Sequence, residues 1–428
     1  MIMRAENFDT ILRSLYGNAP GVVEAQQLRY GELLSAFRSK YGAGRDVVLY
    51  SVPGRTELCG NHTDHNNGIV MAAAVNLDII AAVSPSGRDE IRISSSGYED
   101  EFIVPLSKLE PNEREHFSST SIVRGVAAGI AKRGHCVRGF DAYIASDVLK
   151  GSGLSSSAAF EICIAAILNG EFNEGAIPPL ELAIVAQRAE NIYFGKPSGL
   201  MDQVACAVGG IVTIDFEDPQ NPIVSPVPFD LAKHGYRMVI TDTGGSHADL
   251  THEYAAIRSE MEAVAGQFGK KVLREVDYGD LLANIARLRN VLGDRAILRA
   301  LHFFGECDRV EKLREAAQNE DMAAFLRIVR ESGDSSFEYN QNAYCASAPR
   351  EQGVPLALLR SQIALGDRGA WRLQGGGFAG TIQAFMPEDM LTSYRNALEG
   401  VFGDGACHVL QFREQGPVRI PLTDWEGL

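Results

Sequence analysis

The sequence predicts a mixed α/β chain, more closely α+β, divided into two lobes. Three observations carry that expectation. At 428 residues the chain exceeds what a single ordinary core supports. Its first half alternates between the two-residue apolar repeat of strands and the longer repeat of helices. From about His247 to Gly333 the repeat is helical throughout, and the closing segment then returns to mixed structure.

Taken in order, residues 26–41 (QQLRYGELLSAFRSKY) space their apolar positions as an amphipathic helix, and VVLYSVP reads as a strand. IVMAAAVNLDIIAAVSPS, EIRISSS and EFIVP follow as strands, and Ser119–Gly134 carries caps and periodicity suited to a helix. The strand FDAYIASDV runs into a glycine loop that opens an apolar helix, and LELAIVAQRAENIYFG supplies a second helix. GGIVTIDF and YRMVITD are strands, and the helical run comes next. The chain closes with a helix near 355–365, strand AWRLQ, a glycine cluster, strand TIQAF, a helix over 387–401 and strand CHVLQF. The resulting division is an N-terminal extension over 1–25, a first lobe over 26–240 and a second over 241–428.

Composition excludes several classes of function. Lysine and arginine number 40 against 55 acids, and a net charge of -15 argues against nucleic-acid binding and against adhesion to anionic membranes. The seven cysteines are scattered and never form a CxxC pair, so neither a disulfide framework nor a zinc site is signalled. No segment has the continuous apolar run of a signal peptide or membrane helix. A cytoplasmic chain acting on a small molecule is expected.

Three clusters carry chemistry. In Lys150-Gly-Ser-Gly-Leu-Ser-Ser-Ser-Ala-Ala159, glycines permit a tight turn, serines supply hydroxyls, and the helix behind presents unpaired amides and its positive dipole end. That construction suits a polyphosphate, and the plainer reading is a serine cap on a core helix. Gly375-Gly-Gly-Phe-Ala-Gly380 formally satisfies GxGxxG, but a strand follows it where a dinucleotide site requires a helix. It therefore reads as a hairpin or close-approach loop. In Gly199-Leu-Met-Asp-Gln203 a carboxylate, Asp202, lies twelve residues after Glu190. Two carboxylates near a phosphate loop match the needs of a magnesium nucleotide and an attacking hydroxyl.

A fourth block, PGRTELCGNHTDHNNG (residues 53–68), joins these in register. Together with GSGLSSSAA, GLMDQ and QGGGFAG, it resembles the GHMP small-molecule kinases, with the first block similar to the galactokinase branch, from about residue 26 to the C-terminus. The resemblance implies a two-lobed fold: a first lobe like ribosomal protein S5 domain 2, a ferredoxin-like second lobe, and a site between them. It implies ATP and Mg2+ as cofactors and a small sugar as partner, phosphorylated at its anomeric hydroxyl, in a chain expected to be monomeric. By similarity, Lys150, Gly151, Ser152, Gly153, Leu154, Ser155, Ser156, Ser157 and Ala158 wrap the phosphates, and Ser157 and Glu190 hold the metal. Asp202 faces the reacting hydroxyl beside Arg55. Asn61, His62, Asp64, Gly199 and Tyr254 meet the sugar, and Gly375, Gly376 and Gly377 close over it.

The block also departs from the galactokinase pattern GEHTDYN. Asn61 replaces its acid, Glu57 stands where the pattern has Asn, and His65 where it has Tyr. An amide exchanges an acceptor-only group for one with two donors. Galactose or a close relative is the expected substrate. Galacturonate, whose carboxylate Asn61 would no longer repel, and a catalytically silent sugar sensor are the alternatives.

Overall fold

The computed structural model describes residues 8–148, 153–245 and 250–422. Two helices lead in, α1 (Phe8–Tyr16) and α2 (Val22–Tyr41), and they seat Leu12, Tyr16, Tyr30 and Phe37 against Leu49 and Ile80 of the first sheet. The expected start of α2 at residue 26 is thus four residues late. Val22, Val23, Glu24 and Ala25 complete its first turn directly after Pro20-Gly21.

Strands β1 (Val48–Cys59) and β2 (Ile69–Pro85) form a long antiparallel pair. The register of β1 slips between Pro53 and Arg55 and again between Glu57 and Cys59. Such bulges re-aim side chains, and they explain how a strand continues through a proline and a glycine where the sequence pattern places its end. The lobe continues with β3 (Glu90–Ser95), β4 (Phe102–Pro105), α3 (Ser119–Lys132) and β5 (Phe140–Ser146). Next come α4 (Ser156–Phe172), α5 (Pro179–Arg188), α6 (Met201–Val208), β6 (Ile211–Asp215) and β7 (Ile223–Pro226). α4 is apolar around most of its circumference because it is enclosed by α3, α5, α6 and the sheet.

β8 (Tyr236–Asp242) opens the second sheet. Helices α7 (Thr251–Gly266), α8 (Tyr278–Ala283), α9 (Ile285–Leu292), α10 (Asp294–Gln318) and α11 (Met322–Ser335) form the expected helical run. α12 (Gly353–Leu365), β9 (Ala370–Leu373), β10 (Thr381–Pro387), α13 (Leu391–Phe402) and β11 (Cys407–Leu410) complete the antiparallel sheet β11-β8-β10-β9 and its helices. β12 (Val418–Pro421) then returns to the first sheet beside β1, giving the order β12-β1-β2-β5-β3-β4 with β6 and β7 attached to β2. The expected boundary at 240/241 falls inside β8, and the C-terminal strand crosses back to the first lobe. Alternation marks a strand without naming its sheet, so neither feature is readable beforehand.

One buried node fastens the extension to this frame. The carboxylate of Asp78 accepts hydrogen bonds from Tyr16 (2.5 Å) on α1, Arg29 (2.6 Å) on α2 and Ser51 on β1, and it pairs with Arg413 (3.3 Å) on the returning C-terminal segment. Burial pushes this carboxyl up, but the two guanidinium charges outweigh burial and hold it below its ordinary value. Removing one partner of such a node strands the others without compensation. Asp78→Ala is therefore expected to cost about 3–5 kcal/mol in urea denaturation, and a cost under about 1 kcal/mol would contradict a structural role for the node.

Candidate active site

The phosphate loop is described from Gly153 onward, and Lys150, Gly151 and Ser152 lie outside the described residues. Gly153 (φ 73°) and Ser155 (φ 56°) both adopt left-handed backbone, which turns the chain directly into α4. The first amides of α4, at Ser156, Ser157 and Ala158, have no partner within the helix and form a site for anionic oxygens. Leu154 is buried, and its carbonyl accepts the Arg55 amide at 3.3 Å. The Gly153 carbonyl accepts from the Arg55 guanidinium and from Gln374 at 3.2 Å. The loop is thus braced from both lobes.

Arg55 leaves β1 at its first bulge and meets Asp202 in the first turn of α6, Nε to Oδ1, at 2.7 Å. The other carboxylate oxygen of Asp202 accepts the Ser155 hydroxyl. Burial pushes the Asp202 carboxyl up, but the Arg55 charge and the hydrogen bonds from Arg55 and Ser155 prevail and hold it below the ordinary aspartate value. It is a carboxylate at neutral pH, and its side chain keeps 31% exposure toward the cleft.

Glu190 sits in a π-helical turn (Ala189–Phe194) after α5. Its carboxylate accepts from Lys196 (3.0 Å), Ser157 (3.5 Å) and Gln203 (3.0 Å). The same Gln203 amide reaches Glu161 at 3.0 Å, one turn beyond Ser157 on α4. Glu161 is fully buried, and its Oε1 has no partner in the structure. Burial and the neighbouring Glu190 push the Glu161 carboxyl well up.

The polar block after β1 occupies the same side of the cleft. Gly60 (φ 98°) and His62 (φ 59°) turn the chain sharply, and Asp64 comes to rest against Gly199, where a Cβ would lie 1.8 Å from Oδ2. The missing side chain lets Asp64 approach closely, at the entrance of the helix that carries Asp202. His62 Nε2 lies 2.9 Å from the Gly376 carbonyl, so that nitrogen carries the proton and donates it. Burial, reinforced by His65, lowers the imidazole to about 4, so His62 is neutral at physiological pH. Tyr254 stacks beside it at 6.4 Å between ring centroids and donates to Gly377 at 3.0 Å. Asn61 is buried, and its amide faces Glu57 and the Gly375 carbonyl.

Of the residues singled out in the sequence, Arg55, Asp202, Ser155, Ser157, Glu190, Asp64 and Gly199 are thus brought together from β1, α4, α6 and the loops between them. The glycines form the turn between β9 and β10, with a strand on each side as expected. Sequence reasoning missed a cavity of about 710 Å3 beside Ser156, Ser157 and Glu190, lined also by Tyr98, Phe117 and Phe194. Phe117 and Phe194 meet edge-to-face at 5.5 Å, and Phe117 is largely exposed. Phe117 lies outside any periodic or glycine-rich pattern, and Phe194 ends the segment expected as the second helix, where nothing marks it as lining a cavity.

Comparison with known proteins gives a consistent result. Residues 35–85 match the galactokinase galactose-binding signature, and residues 121–210 match the GHMP kinases N terminal domain. The chain is 33% identical to a galactokinase of Streptomyces coelicolor, over 87% of this chain and 92% of that protein. It is 31% identical to one of Actinobacillus pleuropneumoniae, over 85% and 91%. The fold matches the crystal structure of Lactococcus lactis galactokinase complexed with galactose, with a TM-score of 0.78 at 23% identity, covering 92% of this chain and all of that one. A mevalonate kinase structure matches at a TM-score of 0.61 and 13% identity, over 86% and 99%.

Because His62 binds a proton less readily folded than unfolded, its contribution to stability is complete above its ordinary value of 6.5 and is lost as pH falls toward about 4. Urea melts between these pH values are expected to show a decline that is shallower in His62→Gln. Equal slopes in the two proteins would contradict a buried, neutral imidazole.

Proposed function

We propose a reaction from one premise: the chain belongs to the galactokinase family of GHMP kinases. It transfers the γ-phosphoryl group of ATP to the anomeric hydroxyl of galactose or a closely related sugar. The observation that carries this reading is the convergence of Arg55, Asp202 and Ser155 where the phosphate loop meets the sugar-side block.

Phosphoryl transfer asks a protein mainly for positioning and charge compensation. The phosphates rest on the opening amides of α4, with the adenine directed into the cavity bordered by Phe117 and Phe194. Hard oxygen donors at Ser157 and Glu190, together with the unpartnered Oε1 of Glu161, fit a magnesium ion. When bound, that ion would neutralise charge on the phosphate oxygens. The acceptor sugar lies between Asp64 and Asp202, its anomeric hydroxyl donating to Asp202. Arg55 keeps Asp202 ionised, which favours orientation of the hydroxyl and weakens proton abstraction as such. The proton passes to Asp202 as the oxygen bonds to phosphorus and the bond to ADP breaks.

The galacturonate alternative rests on Asn61 no longer repelling a C6 carboxylate, and to hold that group Asn61 would also need free donors. Those donors are already engaged by Glu57 and Gly375, so galactose is the better-supported substrate. The sensor alternative is disfavoured by the assembled acid, base partner and phosphate loop.

Asp202→Asn tests the reading directly. Turnover of galactose, followed as ADP release, is expected to fall by about 10²–10⁴-fold while ATP affinity by titration calorimetry changes little. Near-full activity would remove Asp202 from the mechanism. In a parallel assay, wild-type protein is expected to phosphorylate galactose well ahead of galacturonate, and the reverse order would restore the acid-sugar reading.

A further inference from the structure

Beneath the glycine turn lies a buried polar assembly that the proposed reaction does not itself use. Three successive carbonyls of the turn are each held by a side chain: Gly375 by Asn61 (2.7 Å), Gly376 by His62 (2.9 Å) and Asn342 (3.0 Å), and Gly377 by Tyr254 (3.0 Å). Asn61 is the most constrained of these. Its Nδ2 donates to both oxygens of Glu57, at 3.1 and 3.2 Å, as well as to Gly375, and its Oδ1 accepts from Asn342 at 2.8 Å. Its backbone carbonyl meets His302 at 2.8 Å. The amide has both of its donors and its acceptor engaged within the protein, and no hydrogen-bonding capacity is left for a sugar.

Glu57 sets the direction of that amide. Its carboxylate is buried against Arg372 (2.6 Å) of β9 and accepts only, so the amide must turn its NH2 group toward it and its oxygen toward Asn342. Glu57 and Asn61 are also the two positions where an acid and an amide stand in the reverse order to the galactokinase pattern. Side by side in the fold, these departures amount to one exchange: the carboxylate sits on β1 facing the second lobe, and the amide sits on the loop facing the glycine turn.

We infer that Glu57 and Asn61 are positioning residues that tether the Gly375–Gly377 turn to β1 and set its distance from the sugar, without contacting the sugar themselves. This deepens the proposed function, on which its kinetic part rests. An acid at position 61 could not donate to the Gly375 carbonyl and would face Glu57 as a like charge in a buried setting. The tether therefore depends on this order of the pair.

Two variants and two readouts test it. Asn61→Asp keeps the shape but removes both donors. Glu57→Gln is milder and sets an amide NH2 against either Arg372 or Asn61. Amide hydrogen exchange in a peptide spanning 374–380 is expected to speed up about ten-fold or more in either variant, with exchange in α4 unchanged. This readout needs no catalysis, so it decides the tether even if the chain proves not to phosphorylate galactose, an outcome that would count against the proposed reaction alone. In kinetics, KM for galactose is expected to rise about ten- to a hundred-fold. The rise should be the same for galactose and for each of its 2-, 4- and 6-deoxy analogues, measured against wild type. Unchanged exchange in both variants would overturn the tether. A KM penalty that vanishes for one deoxy analogue would overturn it too, because it would show Asn61 touching that hydroxyl directly.

Discussion

The contact between Arg55 and Asp202 is the constraint on which the rest of the site depends. One guanidinium at a strand bulge holds the acid on α6 and, through the Gly153 carbonyl, the phosphate loop as well. Without it, the Asp202 carboxyl would be pushed up toward or above its ordinary value by burial, and the loop would lose a brace on the same side. The bulge in β1 turns Arg55 out of the strand's ordinary alternation and toward Asp202.

The second lobe contributes through polar contacts to the first. Gln374 reaches back to Gly153, Gln383 to the Glu57 carbonyl at 2.6 Å, and Arg372 to the Glu57 carboxylate. Glu306 on α10 accepts the Gly60 amide at 3.1 Å and pairs with Arg309 at 2.7 Å, which anchors the polar block from behind. Buried groups of this kind are costly unless satisfied, and here they tie Gly153, Glu57 of β1 and Gly60 to the second lobe. The Asp78 node serves the far side of the same sheet, where α1 and the returning C-terminal segment close over β1 and β2.

Much of the fold was legible in the sequence because its strands and helices carry clear periodicity, and the glycine turn was correctly separated from a dinucleotide site by the strand that follows it. The two-sheet topology was not legible. β8 and β12 alternate like any strand, and the sheet each joins is decided by partners far away in sequence. The site was legible where chemistry is concentrated locally, as in the serine loop and the HTD triplet. Arg55 and Asp202, 147 residues apart, were paired only through family resemblance. The Glu57–Arg372 pair, 315 residues apart, is not marked in the sequence, and the amide of Asn61, expected on the sugar side, bonds Glu57 and Gly375. Phe117 and Phe194 are not marked in the sequence, because a lone aromatic in a loop or at a helix end resembles a core residue.

The central claim is that Arg55 keeps Asp202 ionised in a partly buried site. Carbon-13 NMR of the protein labelled at aspartate Cγ, followed through pH in the wild type and in Arg55→Gln, measures this directly. The account predicts an Asp202 resonance that titrates below the ordinary aspartate value and moves upward once the guanidinium is gone. A titration above that value in the wild type, or one indifferent to the loss of Arg55, would contradict it.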